Sequence, residues 1–86
     1  MTVEELLVEL ESLAGEIEVT LRFEKGDFDG GYCILRAERM IIVNKKLSIQ
    51  KKVSVISLAL NEMGIENVFI KPAVRLFIED EIAKVR

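Results

Sequence analysis

The period of the apolar positions changes once in the first part of the chain. Near the start, apolar side chains recur at helical spacing: Val3, Leu6, Leu7, Leu10, Leu13 and Ala14. Thr2 and Glu5 have the spacing of a capping box, so we predict helix 1 over about residues 2–14, ended by Gly15. From residue 16 to residue 24 apolar and polar side chains alternate, which predicts a first strand with one buried and one solvent-facing side.

The middle of the chain predicts two more strands. Residues 25–31 are rich in glycine and aspartate, and this turn composition predicts a hairpin from the first strand to a second strand, Tyr32–Ala37. The polar pair Glu38 and Arg39 interrupts the apolar pattern. The segment Met40–Val43 is apolar throughout, which predicts a third strand that is covered on both faces.

The last part of the chain predicts two helices. Ser48 is a favourable N-cap for helix 2, about residues 49–63, and Pro72 suits the first turn of helix 3, which runs to the C-terminus. Between these helices, residues 66–71 have the composition of a short fourth strand. Both helices are apolar over more than half of their circumference. In so small a chain, this pattern predicts burial against another subunit.

Together these elements predict a single α+β domain over residues 1–86, in the order α-β-β-β-α-(β)-α. We expect a small, mostly antiparallel sheet of three to four strands, packed against two or three helices. We also expect a homo-oligomer whose contacts are made mainly by helices 2 and 3. We expect neither a cofactor nor a bound metal.

The composition limits the chemistry that the chain can perform. There is no histidine and only one cysteine, which excludes Ser-His and Cys-His nucleophilic sites and an intramolecular disulfide. The chain is 50% hydrophobic and 31% charged, as is typical of a folded protein, and its use of Ile, Val, Glu and Lys resembles that of thermophile proteins. The N-terminus is acidic and no apolar run approaches about 20 residues, so we expect a cytoplasmic protein without a signal peptide or membrane span.

Charge is unevenly distributed along the chain. Residues 1–18 contain six glutamates and no basic residue, whereas residues 30–61 contain six basic residues and only one acid, Glu38. These six residues are candidates for binding an anion or a nucleic acid: Arg36, Arg39, Lys45, Lys46, Lys51 and Lys52. A pI of about 5.0 and an aromatic content of 6% argue against nucleic acid. We favour the alternative that these residues lie in solvated loops or pair with the acidic helix 1.

Cys33 follows Gly30 and Gly31 at the start of the predicted second strand. A reactive thiol needs a neighbouring group that lowers its pKa, and without histidine only an arginine or a lysine can serve. The alternative is that Cys33 is a small buried apolar residue, as free cysteines commonly are. We favour the second interpretation.

Several short motifs resemble a known family when they are taken as a set. The chain contains Gly-Gly-Tyr-Cys at 30–33, an apolar strand that ends in Asn44, a helix that follows Ser48, and Pro-Ala-Val-Arg at 72–75. In these motifs, over about residues 30–79, it resembles a family of short uncharacterised bacterial proteins. That family has no established activity, so the resemblance implies no function.

The sequence leaves three functions open. We favour a non-enzymatic, homo-oligomeric interaction or assembly module, because the helices carry excess apolar surface and the commonest catalytic groups are missing. The second is an anion or nucleic-acid binder that uses the six basic residues. The third is an enzyme or redox sensor that depends on Cys33.

Overall fold

The computed structural model describes residues 1–85 and confirms the predicted α+β class. Within that range, three helices and three strands follow one another: α1 (Val3–Glu16), β1 (Thr20–Glu24), β2 (Gly30–Leu35), β3 (Glu38–Asn44), α2 (Ile49–Met63) and α3 (Pro72–Lys84). The predicted caps are confirmed. The backbone N–H of Glu5 donates to the Thr2 hydroxyl at 3.1 Å, and the N–H of Lys51 donates to the Ser48 hydroxyl at 3.2 Å.

β3 is the central strand of a mixed three-stranded sheet. β1 runs parallel to β3 and pairs Leu21 with Ile41, whereas β2 runs antiparallel to β3 and pairs Tyr32 with Ile41 from the other side. The predicted hairpin between the first and second strands is wrong, because β3 lies between them. The strand that is apolar throughout takes the centre, where burial is greatest, and the strands that alternate or contain glycine take the edges.

The hairpin in the structure joins β2 to β3 through Arg36 and Ala37. Their φ angles are 54° and 66°, and a two-residue turn with both φ values positive is a type I′ turn. Because the turn takes Arg36 and Ala37, β2 ends at Leu35, two residues before its predicted end. The usual sequence for such a turn, Asn-Gly, is absent. The glycine-rich loop instead crosses the end of β3. There the Asn44 amide donates to the carbonyls of Gly26 and Phe28, each at 2.9 Å.

Two further predictions at element boundaries are wrong. α1 extends to Glu16 and contains Gly15, so the alternating residues at 16–18 form the end of a helix and β1 begins only at Thr20. The segment 66–71 forms no strand within the described chain. It lies against α1 instead, where the Lys71 ammonium contacts the Glu9 carboxylate at 2.8 Å. Because the segment lies against a helix, it is not beside either edge of the sheet and cannot pair as a strand.

The helices cover one face of the sheet. α2 packs against β2 and β3, and α3 packs against α2 and α1 rather than against the sheet. The apolar core therefore lies on both sides of α2, and its fully buried members are Leu10, Ile41, Ile56, Leu60, Val43 and Val53. The prediction that β3 is covered on both faces is wrong for the second face, where no helix packs among the described residues. Met40 on that face is nevertheless only 2% exposed.

Polar side chains line part of the contact between α2 and α3. Glu81 of α3 is only 7% exposed, and its carboxylate accepts a hydrogen bond from the Lys84 ammonium at 2.7 Å. This bond, together with one from Ser54, lowers the pKa of Glu81. Ser57, one turn beyond Ser54, is fully buried, and its hydroxyl has no hydrogen-bond partner in the described chain. Two small residues on this side of α2 allow α3 to pack closely.

We expect the hydrogen-bonded ion pair of Glu81 and Lys84 to make the free energy of unfolding depend on pH. Because the folded pKa lies below the unfolded value of about 4.3, the contribution is complete above that pH and is lost as the pH falls through the folded pKa. Glu81→Gln should lower the free energy of unfolding by about 1 kcal/mol at pH 7 and by progressively less as the pH falls through the folded pKa of Glu81. Urea unfolding at several pH values measures this difference. Glu79→Gln, at an exposed position on the same helix, controls for the loss of one charge, and an equal pH dependence in both variants would contradict the assignment.

Candidate interaction surface

The face of the sheet opposite the helices remains uncovered. Strand alternation places Ile41 and Val43 of β3 on the helix side, where both join the core, and Met40 and Ile42 on the other side. Cys33 pairs with Met40, so it also lies on the open face. It is a free thiol of intermediate exposure. The sheet therefore presents an open face in addition to its two edges.

The two edges of the sheet differ in how they are protected. β1 carries Arg22 and Glu24, which form an ion pair at 2.7 Å. β2 contains neither a charged residue nor a proline, and its apolar residues Ile34 and Leu35 are 60% and 56% exposed. Charges on an edge strand oppose pairing with another chain, whereas an apolar edge without them favours it. β2 is therefore the open edge of this fold.

One side of α2 extends this edge into a larger surface. A groove of about 240 Å³ lies between β2 and α2, and the helix residues in it include Lys51, Val55, Leu58 and Glu62. Their spacing places them on one face of the helix, with two partly exposed apolar residues between a cation and an anion. We call β2 together with these four residues the edge surface.

The two glycines of β2 differ in what surrounds them. A Cβ at Gly30 would lie 2.3 Å from the Ile42 carbonyl oxygen and 3.0 Å from a methyl group of Val55, so a larger residue does not fit between α2 and the sheet. A Cβ at Gly31 would meet no atom within 4 Å. Glycine weakens a strand and often marks the close approach of another group. Packing within a single chain therefore explains why position 30 is a glycine, but it does not explain the glycine at position 31.

A second apolar surface lies between α3 and the start of α1. This groove of about 330 Å³ is bordered by residues that include Val3, Ala73, Leu76 and Phe77. Leu76 is 60% exposed. We call it the α3 groove.

The six predicted anion-binding residues do not form one cluster. Arg36 and Arg39 lie at the end of the sheet where β3 begins, and the four lysines follow the end where it stops. The seven residues of β3 separate these ends by about 20 Å. The Arg39 guanidinium donates to the Ile17 carbonyl at the C-terminal end of α1, where a positive charge also complements the helix dipole. Arg39 therefore stabilises the fold.

The four lysines lie in the turn after β3 and in the first turn of α2, and two of them have partners. The Lys51 ammonium lies 3.8 Å from the Asp29 carboxylate, and the Lys52 ammonium lies 5.6 Å from the centre of the Phe23 ring. Lys45 and Lys46 are exposed in the turn that follows Asn44. Anion binding by these residues, and a chemical role for Cys33, stay predictions.

The residues of the edge surface gave few signals in the sequence. Val55 and Leu58 contributed only to the prediction that α2 is apolar over more than half of its circumference. Lys51 and Glu62 gave a signal that could have been used, since they bracket this pair at helical spacing. Ile34 and Leu35 gave none, because only the strand order places them at an edge.

Two features are absent from residues 1–85. No group of three or more potential metal-binding side chains of the His, Cys, Asp and Glu types lies together there. No helix in that range has the length and apolar character needed to cross a membrane.

Comparison with known proteins found no matching family model, no similar curated protein and no similar solved structure. The resemblance to the short bacterial family stays a prediction.

Proposed function

We propose that this chain is a non-enzymatic assembly module that forms a homo-oligomer through surfaces of α2 and α3. The observation that carries the proposal is the apolar surface that remains exposed on both helices after the core has formed. An unpaired apolar surface of this kind is typical of a contact between subunits. The partner is a second copy of the same chain.

On α2, the support comes from the face that is not used in the core. Ile56 and Leu60 are buried completely within one chain, whereas Val55 and Leu58 stay partly exposed at the groove beside β2. Lys51 and Glu62 have opposite charges and flank this pair. Two α2 helices packed antiparallel would bring unlike charges together at both ends.

On α3, the support comes from the α3 groove. Leu76 and Ala73 are exposed, and Phe77 is only partly buried. The apolar residues of α3 occupy several faces of the helix, and only those near α2 and α1 are covered by the chain itself. A contact between subunits would cover the others.

The proposal predicts an oligomer that is weakened by changes on both surfaces. Native mass spectrometry and sedimentation equilibrium should give the mass of two or more chains of 9.8 kDa each. Leu76→Glu should raise the dissociation constant at least about tenfold, because it places a charge in an apolar contact. Leu58→Gln should have an effect in the same direction, and its nearly equal size preserves the shape of the half-buried site.

Val8→Glu is the matched control. Val8 is 63% exposed on α1, close to the 60% of Leu76, and its neighbours one turn away are Glu4, Glu5, Glu11 and Ser12. We expect this variant to assemble as the unmodified chain does, and circular dichroism should show that all variants are folded. A monomeric mass for the unmodified chain would overturn the proposal, and so would equal weakening by Val8→Glu and Leu76→Glu.

A further inference from the structure

We propose that two copies of this chain pair their β2 strands antiparallel, with Cys33 opposite Cys33 on a two-fold axis, so that two three-stranded sheets become one six-stranded sheet. This inference rests on the proposed function, since it identifies how the edge surface binds a second copy. Four observations carry it: the unprotected edge, the direction of its free backbone groups, the glycine at position 31 and the charges at the ends of the edge surface.

The hydrogen bonds to β3 determine which backbone groups of β2 are free. The N–H of Asn44 donates to the carbonyl of Asp29 at 2.9 Å, so these two residues form a hydrogen-bonded pair. Bonded and non-bonded pairs alternate along an antiparallel ladder. Gly31, Cys33 and Leu35 therefore direct their backbone groups towards β3, whereas Tyr32 and Ile34 direct theirs towards the open edge. A second strand must bond to Tyr32 and Ile34.

The side chains then select the register. Opposed residues in an antiparallel pair lie on the same face of the sheet, so a two-fold axis has to pass through a residue pair. With Cys33 on the axis, Tyr32 of one copy and Ile34 of the other exchange two hydrogen bonds on each side. This also makes an aromatic residue face a β-branched one, which is a favourable cross-strand pair. A shift that centres Tyr32 would place the charged Asp29 opposite Leu35.

The same register gives Gly31 a role. Gly31 and Leu35 lie on the open face, and Leu35 of one copy stands opposite Gly31 of the other. The space beside Gly31, which is empty in a single chain, receives a leucine side chain that is 56% exposed without its partner. A larger residue at position 31 would compete with that leucine for the space.

The charges at the strand ends agree with an antiparallel pair. Asp29 precedes β2 and Arg36 follows it, so antiparallel pairing brings Asp29 of each copy beside Arg36 of the other. A parallel pair would bring like charges together at both ends.

α2 carries further complementary charges beside the same edge. Lys51, whose ammonium is 3.8 Å from the Asp29 carboxylate, and Glu62 lie at opposite ends of the helix residues that line the groove. Two copies related by a two-fold axis hold these helices antiparallel, so the unlike charges of the two copies lie at the same end.

Cross-linking through Cys33 tests the register. In this pairing the two cysteines form a non-bonded pair with Cα atoms about 4.5 Å apart, within the range that a disulfide spans. Copper(II) phenanthroline in air supplies the oxidant: the two thiols lose two protons to solvent and two electrons to two copper(II) ions, the sulfur–sulfur bond forms, and oxygen reoxidises the copper. We expect a dimer cross-linked through Cys33 on a non-reducing gel.

Cys33→Ser/Leu35→Cys is the matched control. Its cysteine lies on the same face and is more exposed, but each copy places it opposite Gly31, so the two thiols are about 13 Å apart. We expect cross-linking at least about tenfold slower than for Cys33. Ile34→Glu, which places a charge in the paired edge, should abolish the Cys33 cross-link, and circular dichroism should show that this variant is folded.

The outcomes separate this inference from the proposed function. An oligomer in native mass spectrometry whose Cys33 residues cross-link no faster than the cysteine at position 35 would overturn the strand pairing and leave the assembly module standing. A cross-link that persists in Ile34→Glu would also overturn the pairing. A monomeric mass for the unmodified chain would overturn both.

Discussion

Gly30→Ala is expected to destabilise the fold by about 3–5 kcal/mol. The added Cβ would lie 2.3 Å from the Ile42 carbonyl oxygen, which is backbone in the central strand and cannot turn away. Gly30 also has φ of 141°, which side chains rarely allow. A domain of this size has a total stability of about 4–13 kcal/mol, so the loss is a large fraction of it. Urea unfolding followed by circular dichroism measures it.

Gly31→Ala provides the comparison for this result. The two glycines are adjacent in the same strand, but a Cβ at position 31 meets no atom within 4 Å. We expect a change of less than about 0.5 kcal/mol, with alanine slightly favoured because it restricts the unfolded chain. Both substitutions should be measured in the Ile34→Glu background, where self-association does not contribute. Equal destabilisation by the two substitutions would contradict the contact described for Gly30.

Leu60→Ala is expected to lower the free energy of unfolding by about 3–4 kcal/mol. Leu60 is fully buried on α2, the helix that has the sheet on one side and α3 on the other. Truncation at this position removes apolar contacts and leaves a cavity that the elements packed on both sides of α2 cannot easily close. The urea concentration at the midpoint of unfolding should fall in proportion to this loss of free energy.

The same substitution at Leu76 is the control for Leu60→Ala. Leu76 lies on α3 and is 60% exposed, so little apolar area returns to water when it is truncated. We expect a loss below about 1 kcal/mol in the monomer. If both leucines prove equally important, α3 covers more of its surface within one chain than the structure shows.

Local sequence signals predicted the helices well. The start of α1 at Val3 follows from Thr2 and Glu5, and the start of α2 at Ile49 follows from Ser48, because a cap acts within one helical turn. The predicted end of α1 at Gly15 was wrong, because the helix continues to Glu16. Ile17 and Val19 fit both a helix and a strand pattern, and Arg39, which contacts the Ile17 carbonyl, comes from β3 far along the chain.

The pairing of the strands could not be predicted in the same way. A glycine-rich loop at residues 25–31 signals a change of direction, but it does not say which strand the chain will join next. The hairpin turn in the structure, at Arg36 and Ala37, lacks the residues that favour positive φ, so it could not be predicted from the sequence. Long-range contacts of β3 determined the order of the strands.

The candidate surface was predicted only in part. The excess apolar character of α2 and α3 indicated contacts between subunits, and both helices do retain exposed apolar residues on particular faces. The basic residues at 36–52 looked like one patch in the sequence, but β3 separates Arg36 and Arg39 from the lysines. Nearness along the chain does not give nearness in space across an extended strand.

The sequence by itself determined the class of the fold, the type of most elements and the excluded chemistry, because composition, period and caps act locally. The tertiary structure decided which strand is central, which edge is unprotected and which face of α2 is left over. These depend on contacts between residues far apart in the chain, such as Leu21 and Tyr32 on either side of Ile41. The edge surface exists only because those contacts leave β2 without a neighbour.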